Sequence, residues 1–213
     1  MRVSWGYKLA LFALFAAFYW VFYIYPNFHP KWPPQPLPLL WIDYAVPLIP
    51  WTFLIYISDY LLFASVLFLL TDLESFNSYA RMVFATLMIC GIFFIFLPTT
   101  YPRPPYPHSD SAIVSMVMNL ISTADTPNNC FPSMHVAQTG IATWAVRRLG
   151  WKTFSSFGFW AVAIFISTLT TKQHYFVDIL GGLSVMITVA SLEWLIFEKR
   201  YLRDWISRVL HSM

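Results

Sequence analysis

Charge is what this chain has least of. Only 11% of its 213 residues are charged, against 58% hydrophobic and 20% aromatic, where an ordinary soluble domain carries about 25% charged residues. That scarcity excludes a water-soluble globule and points to a chain whose solvent is lipid. Cysteine is equally sparse. Cys90 lies in an apolar run and Cys130 in a polar loop, with no paired spacing, so a disulfide scaffold and a cysteine metal motif are excluded and both thiols read as structural. The net charge of +3 is small and its basic residues fall outside the apolar runs, which leaves no footprint for a nucleic-acid partner. No internal repeat is present.

What the chain does have is long apolar runs. A helical span needs about 20 predominantly apolar residues, and the runs near 7–25, 51–71, 80–97, 134–148, 152–171 and 175–197 predict an all-α, polytopic membrane protein with six transmembrane helices, one domain over residues 1–213. The first run follows Arg2 and Lys8 as a signal peptide would, yet it continues to Tyr25 without a small-residue cleavage site and is expected to be retained. The fourth is short for a span. It needs a buried start, snorkelling by Arg147 and Arg148, or continuation towards Trp151; its Ala137, Gly140 and Ala142 suit close helix packing.

Six spans put both termini on one side. Arg2, Lys8, Arg81, Arg147, Arg148, Lys152, Lys199, Arg200, Arg203 and Arg208 share that side, against Lys31, Arg103 and Lys172 on the other. The positive-inside rule makes the termini cytoplasmic. Two long loops then face outwards. Residues 26–50 carry eight prolines and are expected to be extended and semi-rigid, either a cap over the helix ends or a gate for substrate. In the loop 98–133, residues 111–122 fit an amphipathic surface helix with Ile113, Val114, Val117 and Ile121 facing lipid.

Three polar clusters distant in sequence share this outer face: Arg103 after the third span, Ser133 and His135 where the fourth begins, and Lys172, His174 and Asp178 where the sixth begins. His174 and Asp178, four residues apart, occupy one face of a helix. Such a pair is either structural or catalytic; in the catalytic case Asp178 fixes the ring tautomer and leaves the other nitrogen free to attack phosphorus. His135 is the complement, a proton donor to a leaving alkoxide. Ser133 reads as an N-cap, a phosphate contact at a helix N-terminus, or both. Arg103 is either a bidentate phosphate ligand or an interfacial snorkelling residue, and Lys172 a second phosphate clamp or an anchor. No carboxylate or histidine cluster completes a metal site, so neither metal nor cofactor is expected.

Taken together these residues resemble the type 2 phosphatidic acid phosphatases, especially the branch of the inositol phosphorylceramide and sphingomyelin synthases. Arg103-Pro104 resembles the end of that family's first motif, Pro132-Ser133-Met134-His135 its second, and His174-Tyr175-Phe176-Val177-Asp178 the end of its third. The resemblance implies a histidine nucleophile at His174, oriented by Asp178, with His135 as acid and later base and Arg103 and Ser133 holding phosphate. It also implies a lipid phosphate as substrate, handled at the extracytoplasmic face. Three positions depart from the pattern. Phe96 stands where the first motif has a lysine, Met134 where the second has a glycine, and Thr168 where the third has an arginine; Lys172 or Lys31 are the candidate replacements.

The expected activity is metal-independent hydrolysis of a lipid phosphate or diphosphate. The alternative is a lipid phosphotransferase that moves a phospho-headgroup to a lipid alcohol, and a second alternative is a non-enzymatic transporter. A transporter is marked by ionisable residues threading several spans, for which Asp59, Asp178 and Glu193 are the main candidates. The expected partners are a membrane lipid substrate and the bilayer itself; no obligate protein partner is evident.

Overall fold

The computed structural model describes residues 1–107 and 109–198. Its main helices are α1 (Trp5–Phe28), α3 (Pro50–Leu69), α4 (Leu73–Phe96), α7 (Trp151–Thr170) and α8 (Phe176–Phe197), all long and apolar enough to cross a membrane. Shorter ones are α2 (Trp41–Ala45), α5 (Ala112–Ala124) and α6 (Met134–Ala145). Five helices therefore meet the length of a span, not six. The expected fourth span is α6 followed by a 3₁₀ turn, Val146–Leu149, together about 26 Å at helical rises of 1.5 and 2.0 Å per residue.

α6 is short because lipid does not surround it. All of its side chains except His135 and Trp144 are buried, enclosed by α3, α4, α7 and α8. It still runs from one end of the bundle to the other. Its first residues meet α8 where Ser133 N–H donates to the Asp178 carbonyl at 3.1 Å, and beyond its far end Arg148 pairs with Glu74 at the start of α4, 3.4 Å away. Close approach to α8 depends on Gly182, where a Cβ would lie 2.5 Å from the Ser133 carbonyl oxygen and 2.9 Å from Val136 Cβ. Gly150 ends the 3₁₀ turn at φ 110°, a conformation that side-chain-bearing residues avoid, and there the chain reverses into α7.

Local chemistry sets the helix starts. Ser4 Oγ accepts from Tyr7 N–H at 3.2 Å, Asp72 from Ser75 N–H at 2.8 Å and Ser133 Oγ from Val136 N–H at 3.4 Å, each meeting one donor that a first turn leaves open. At the far end of the bundle Arg81 is paired with Glu193, joining α4 to α8. Met1 lies there too, its carbonyl accepting from Leu73 N–H at 2.9 Å. Lys199, Arg200, Arg203 and Arg208, counted in the charge balance, lie outside the described residues.

The proline-rich segment 26–50 is a cap built of short pieces. Gln35–Pro36 (β1) pairs in parallel with Thr99–Thr100 (β2), and Asp43 in α2 uses Oδ1 to accept from Phe176 N–H at 2.8 Å, so it caps α8. The helix expected over 111–122 forms as α5, but its orientation corrects the expectation. Val114, Val117 and Ile121 are buried with Met118 against Phe53 and Tyr56 of α3, while Ile113, Met116 and Leu120 are the exposed apolar residues. Three of the four stripe residues share a face that packs on protein, with Met118 in place of Ile113.

Candidate active site

The ends of α3, α6 and α8 bring two imidazoles together. His174 sits in the turn between α7 and α8, its backbone N–H donating to the Thr168 carbonyl at 3.1 Å. Its Nδ1 is 3.1 Å from Asp178 Oδ2, as the four-residue spacing predicts. That same oxygen accepts from the Tyr101 hydroxyl at 3.0 Å and from Tyr175 N–H at 3.2 Å. A carboxylate supplied with two other donors stays an acceptor, so Nδ1 carries the ring proton and Nε2 keeps its lone pair. Asp178 is fully buried and His174 is 5% exposed.

His135, in the first turn of α6, has a carboxylate of its own. Its Nδ1 is 2.6 Å from Asp59 Oδ2 in α3, and its Nε2 is 2.7 Å from the Tyr56 hydroxyl. The His135 and His174 rings lie 5.7 Å apart between centroids, inclined at 60°. A histidine in the first turn of α6 and one in the turn before α8 thus face each other, each held through Nδ1 by its own buried aspartate. Asp59 and Tyr56 were not assigned to the site from sequence. Asp59 stood out only as an ionisable residue in an apolar run, and nothing in the chain links it to a histidine 76 residues away.

The expected phosphate ligands are placed less simply. Arg103 donates from Nη1 to the Asp125 carbonyl at 2.6 Å and from Nη2 to Asp125 Oδ2 at 3.1 Å. Burial disfavours its charge, but Asp125 with Tyr106, Cys130 and Tyr56 more than offsets this and holds the guanidinium above the ordinary arginine value. Its Nε is buried with no hydrogen-bond partner among the described residues. Asp125 is a hub that sequence reading missed, since it also accepts from the Tyr23 hydroxyl at 2.9 Å and from Asn27 Nδ2 at 3.0 Å.

Lys172 Nζ donates to the Asp43 and Val46 carbonyls at 2.8 and 2.5 Å, which ties it to the proline-rich cap. Burial lowers its pKa against the opposing pull of Asp43. Lys172 and Arg103 line one cavity of about 440 Å³ with Asp43, Tyr44 and Tyr175. Ser133 is fully buried and serves as the α6 N-cap. Of the departures from the family pattern, Phe96 lies under the Lys31 ammonium, 5.3 Å from its ring centroid, and Thr168 lends His174 its carbonyl. No group of three or more His, Cys, Asp or Glu side chains able to hold a metal occurs among the described residues.

Apolar helices of spanning length, with two histidines facing each other at one end and a buried aspartate behind each, define a helical membrane protein. The chain belongs to the PAP2 superfamily, whose family model matches residues 37–192 and so covers everything from the proline-rich cap to the last turns of α8. No curated protein matches the chain.

Proposed function

We propose that this protein is an integral membrane lipid phosphatase that hydrolyses a lipid phosphate or diphosphate ester through a phosphohistidine, without a metal, at the extracytoplasmic face. The observation that carries the reading is the pair of facing imidazoles, each anchored at Nδ1 by a buried aspartate so that each keeps Nε2 for chemistry. Nε2 of His174 attacks phosphorus and forms the P–N bond. The P–O bond to the lipid alcohol breaks, and the departing oxygen takes the proton from Nε2 of His135. The Tyr56 hydroxyl stands at that nitrogen and either yields its place to the leaving oxygen or relays the proton. Water then attacks the phosphohistidine and gives a proton back to His135; the P–N bond breaks, its electron pair returns to His174, and phosphate leaves. Arg103 supplies the permanent positive charge beside the developing negative one, with Ser133 and Lys172 as supporting contacts to phosphate.

The sidedness follows from charge. Lys31, Arg103 and Lys172 lie at the site's end of the bundle, and Arg2, Arg81, Arg147, Arg148 and Lys152 towards the other, which the positive-inside rule assigns to the cytoplasm. Asp59 lies in the middle of α3 and is taken up by His135, while Asp178 and Glu193 lie near the two ends of α8; one carboxylate at depth is not a chain of ionisable residues threading several spans, and this disfavours transport. One observation favours a second reading. His174 is almost wholly buried, and a site that keeps water out suits transfer of a phospho-headgroup to a lipid alcohol.

The test is incubation of the purified protein with a radiolabelled lipid phosphate or phospholipid donor, with and without diacylglycerol or ceramide. Free phosphate released in the absence of acceptor is the expected result. A labelled lipid that forms only with acceptor, with no phosphate beside it, would replace the phosphatase by the transferase.

A further inference from the structure

Between α1, α3, α4 and α6 lies a cavity of about 510 Å³. His135 and Asp59 form part of its wall at the site's end, and Lys8 closes the other; His174, Arg103 and Lys172 do not line it. Phe15, Phe63, Ala64 and Ala80 are among the apolar residues between. Several polar heads in the wall are engaged with protein. Lys8 Nζ donates to the Leu70 carbonyl at 2.8 Å and also to that of Leu67, Gln138 Nε2 to the Val83 carbonyl at 3.1 Å, and the Tyr23 hydroxyl to Asp125. Asp59 Oδ1, at the site's end, is buried without a partner among the described residues. The rest of the wall is mainly aliphatic and aromatic, a lining suited to hydrocarbon. Measured along α1 from Lys8 to Tyr23 the cavity extends about 22 Å at 1.5 Å per residue. One leaflet of a hydrocarbon core about 30 Å thick is about 15 Å deep, so a single lipid chain fits lengthwise.

We propose that this cavity receives the hydrocarbon chain of the leaving alcohol and that Lys8 is the floor against which chain length is measured. The inference rests on the roles given to His174 and His135 above. In-line attack by His174 places the departing oxygen on the far side of phosphorus, next to the proton donor His135. The chain carried by that oxygen begins where the cavity meets His135. Substrate is thereby sorted by its tail: one straight or prenyl-type chain enters lengthwise, and specificity resides in Ala64 and Ala80, whose small side chains keep the passage open.

The experiment uses n-alkyl phosphates from butyl to octadecyl, with p-nitrophenyl phosphate as a tail-less substrate, on the full chain and on Ala64→Trp and Ala80→Phe. Each variant is expected to lose about tenfold or more of kcat/KM on octadecyl phosphate, the scale on which a hydrophobic pocket rejects excess bulk. Butyl and p-nitrophenyl phosphates should be hydrolysed at the wild-type rate. As a second readout that needs no variant, an alkyl phosphate with a diazirine at the chain terminus should label α1 and α4 around Leu11 and Phe76. A wild-type length profile in both active variants, or labelling confined to outward-facing positions such as Phe159, would overturn the tail site while leaving the phosphatase standing. Failure of the wild-type protein to hydrolyse any of these phosphates would instead remove the phosphatase reading, and the tail site with it.

Discussion

Replacing Asp59 by Asn isolates the part played by the second aspartate. The side chain is 1% exposed and its Oδ2 lies 2.6 Å from His135 Nδ1. Asn preserves its shape, so insertion and packing should survive. What changes is the charge opposite the imidazole and the direction of the hydrogen bond, because an amide NH₂ turned towards Nδ1 selects the tautomer with its proton on Nε2 and no counter-charge. A hydrogen bond to a charged group contributes about 1.5–3 kcal/mol; at about 1.4 kcal/mol per decade, kcat should fall by about one to two decades. The loss should depend on the leaving group. An alkyl phosphate needs the proton that His135 gives, whereas p-nitrophenolate departs without one, so in Asp59→Asn the first step with p-nitrophenyl phosphate, formation of the phosphohistidine, should stay near the wild-type rate even though its hydrolysis, in which His135 takes the proton of water, slows. The assay is the pre-steady-state burst of leaving group from both substrates with equal amounts of inserted protein. An equal loss on both would make Asp59 structural, and no loss on the alkyl ester would remove His135 as the acid.

Further outcomes are expected. His174→Ala should abolish turnover of alkyl and aryl phosphates alike, and Asp178→Asn should lower it by about two decades or more on both, since one removes the nucleophile and the other its orientation; wild-type activity should persist in a chelator, and its loss there with restoration by one divalent ion would end the metal-free mechanism. In intact cells a membrane-impermeant thiol reagent should label Asn119→Cys and leave Thr71→Cys unlabelled, and labelling of Thr71→Cys alone would invert the sidedness.

The contact between His174 and Asp178 was legible from their four-residue spacing, but its geometry was not. His174 lies in the turn before α8, so Asp178 holds it by reaching back from the first turn of the helix and not across a shared helical face. The His135 side was not legible in the same way. Its partners Asp59 and Tyr56 come from a helix more than 70 residues earlier, and a carboxylate in an apolar run announces only that something will satisfy it. Arg103 shows a related limit. The sequence marks a cation near the site, but its Asp125 partner lies 22 residues on, at the end of α5, and only the folded loop reveals that the charge is already compensated. For α5 the period of the apolar residues was clear, yet periodicity cannot distinguish a lipid neighbour from a protein one, and Phe53 with Tyr56 took the face expected to meet the bilayer.

The enclosure of α6 also bears on how the chain reaches its place in the membrane. A helix that the bilayer never touches is released from the demands of the bilayer. It can be short and can carry Gln138, Thr139 and Thr143 on buried faces, with Gln138 donating to the backbone of α4 and Thr143 to its own preceding turn. Thr143 is satisfied inside α6, but Gln138 has its partner only once α4 is in place. Alone in hydrocarbon the segment would be a poor guest, with too few residues to span and a side-chain amide awaiting company. Its insertion is therefore a collective event that requires α4 to be waiting and α7 and α8 to follow, and His135, the proposed proton donor, arrives at its station on the helix least able to enter the membrane by itself.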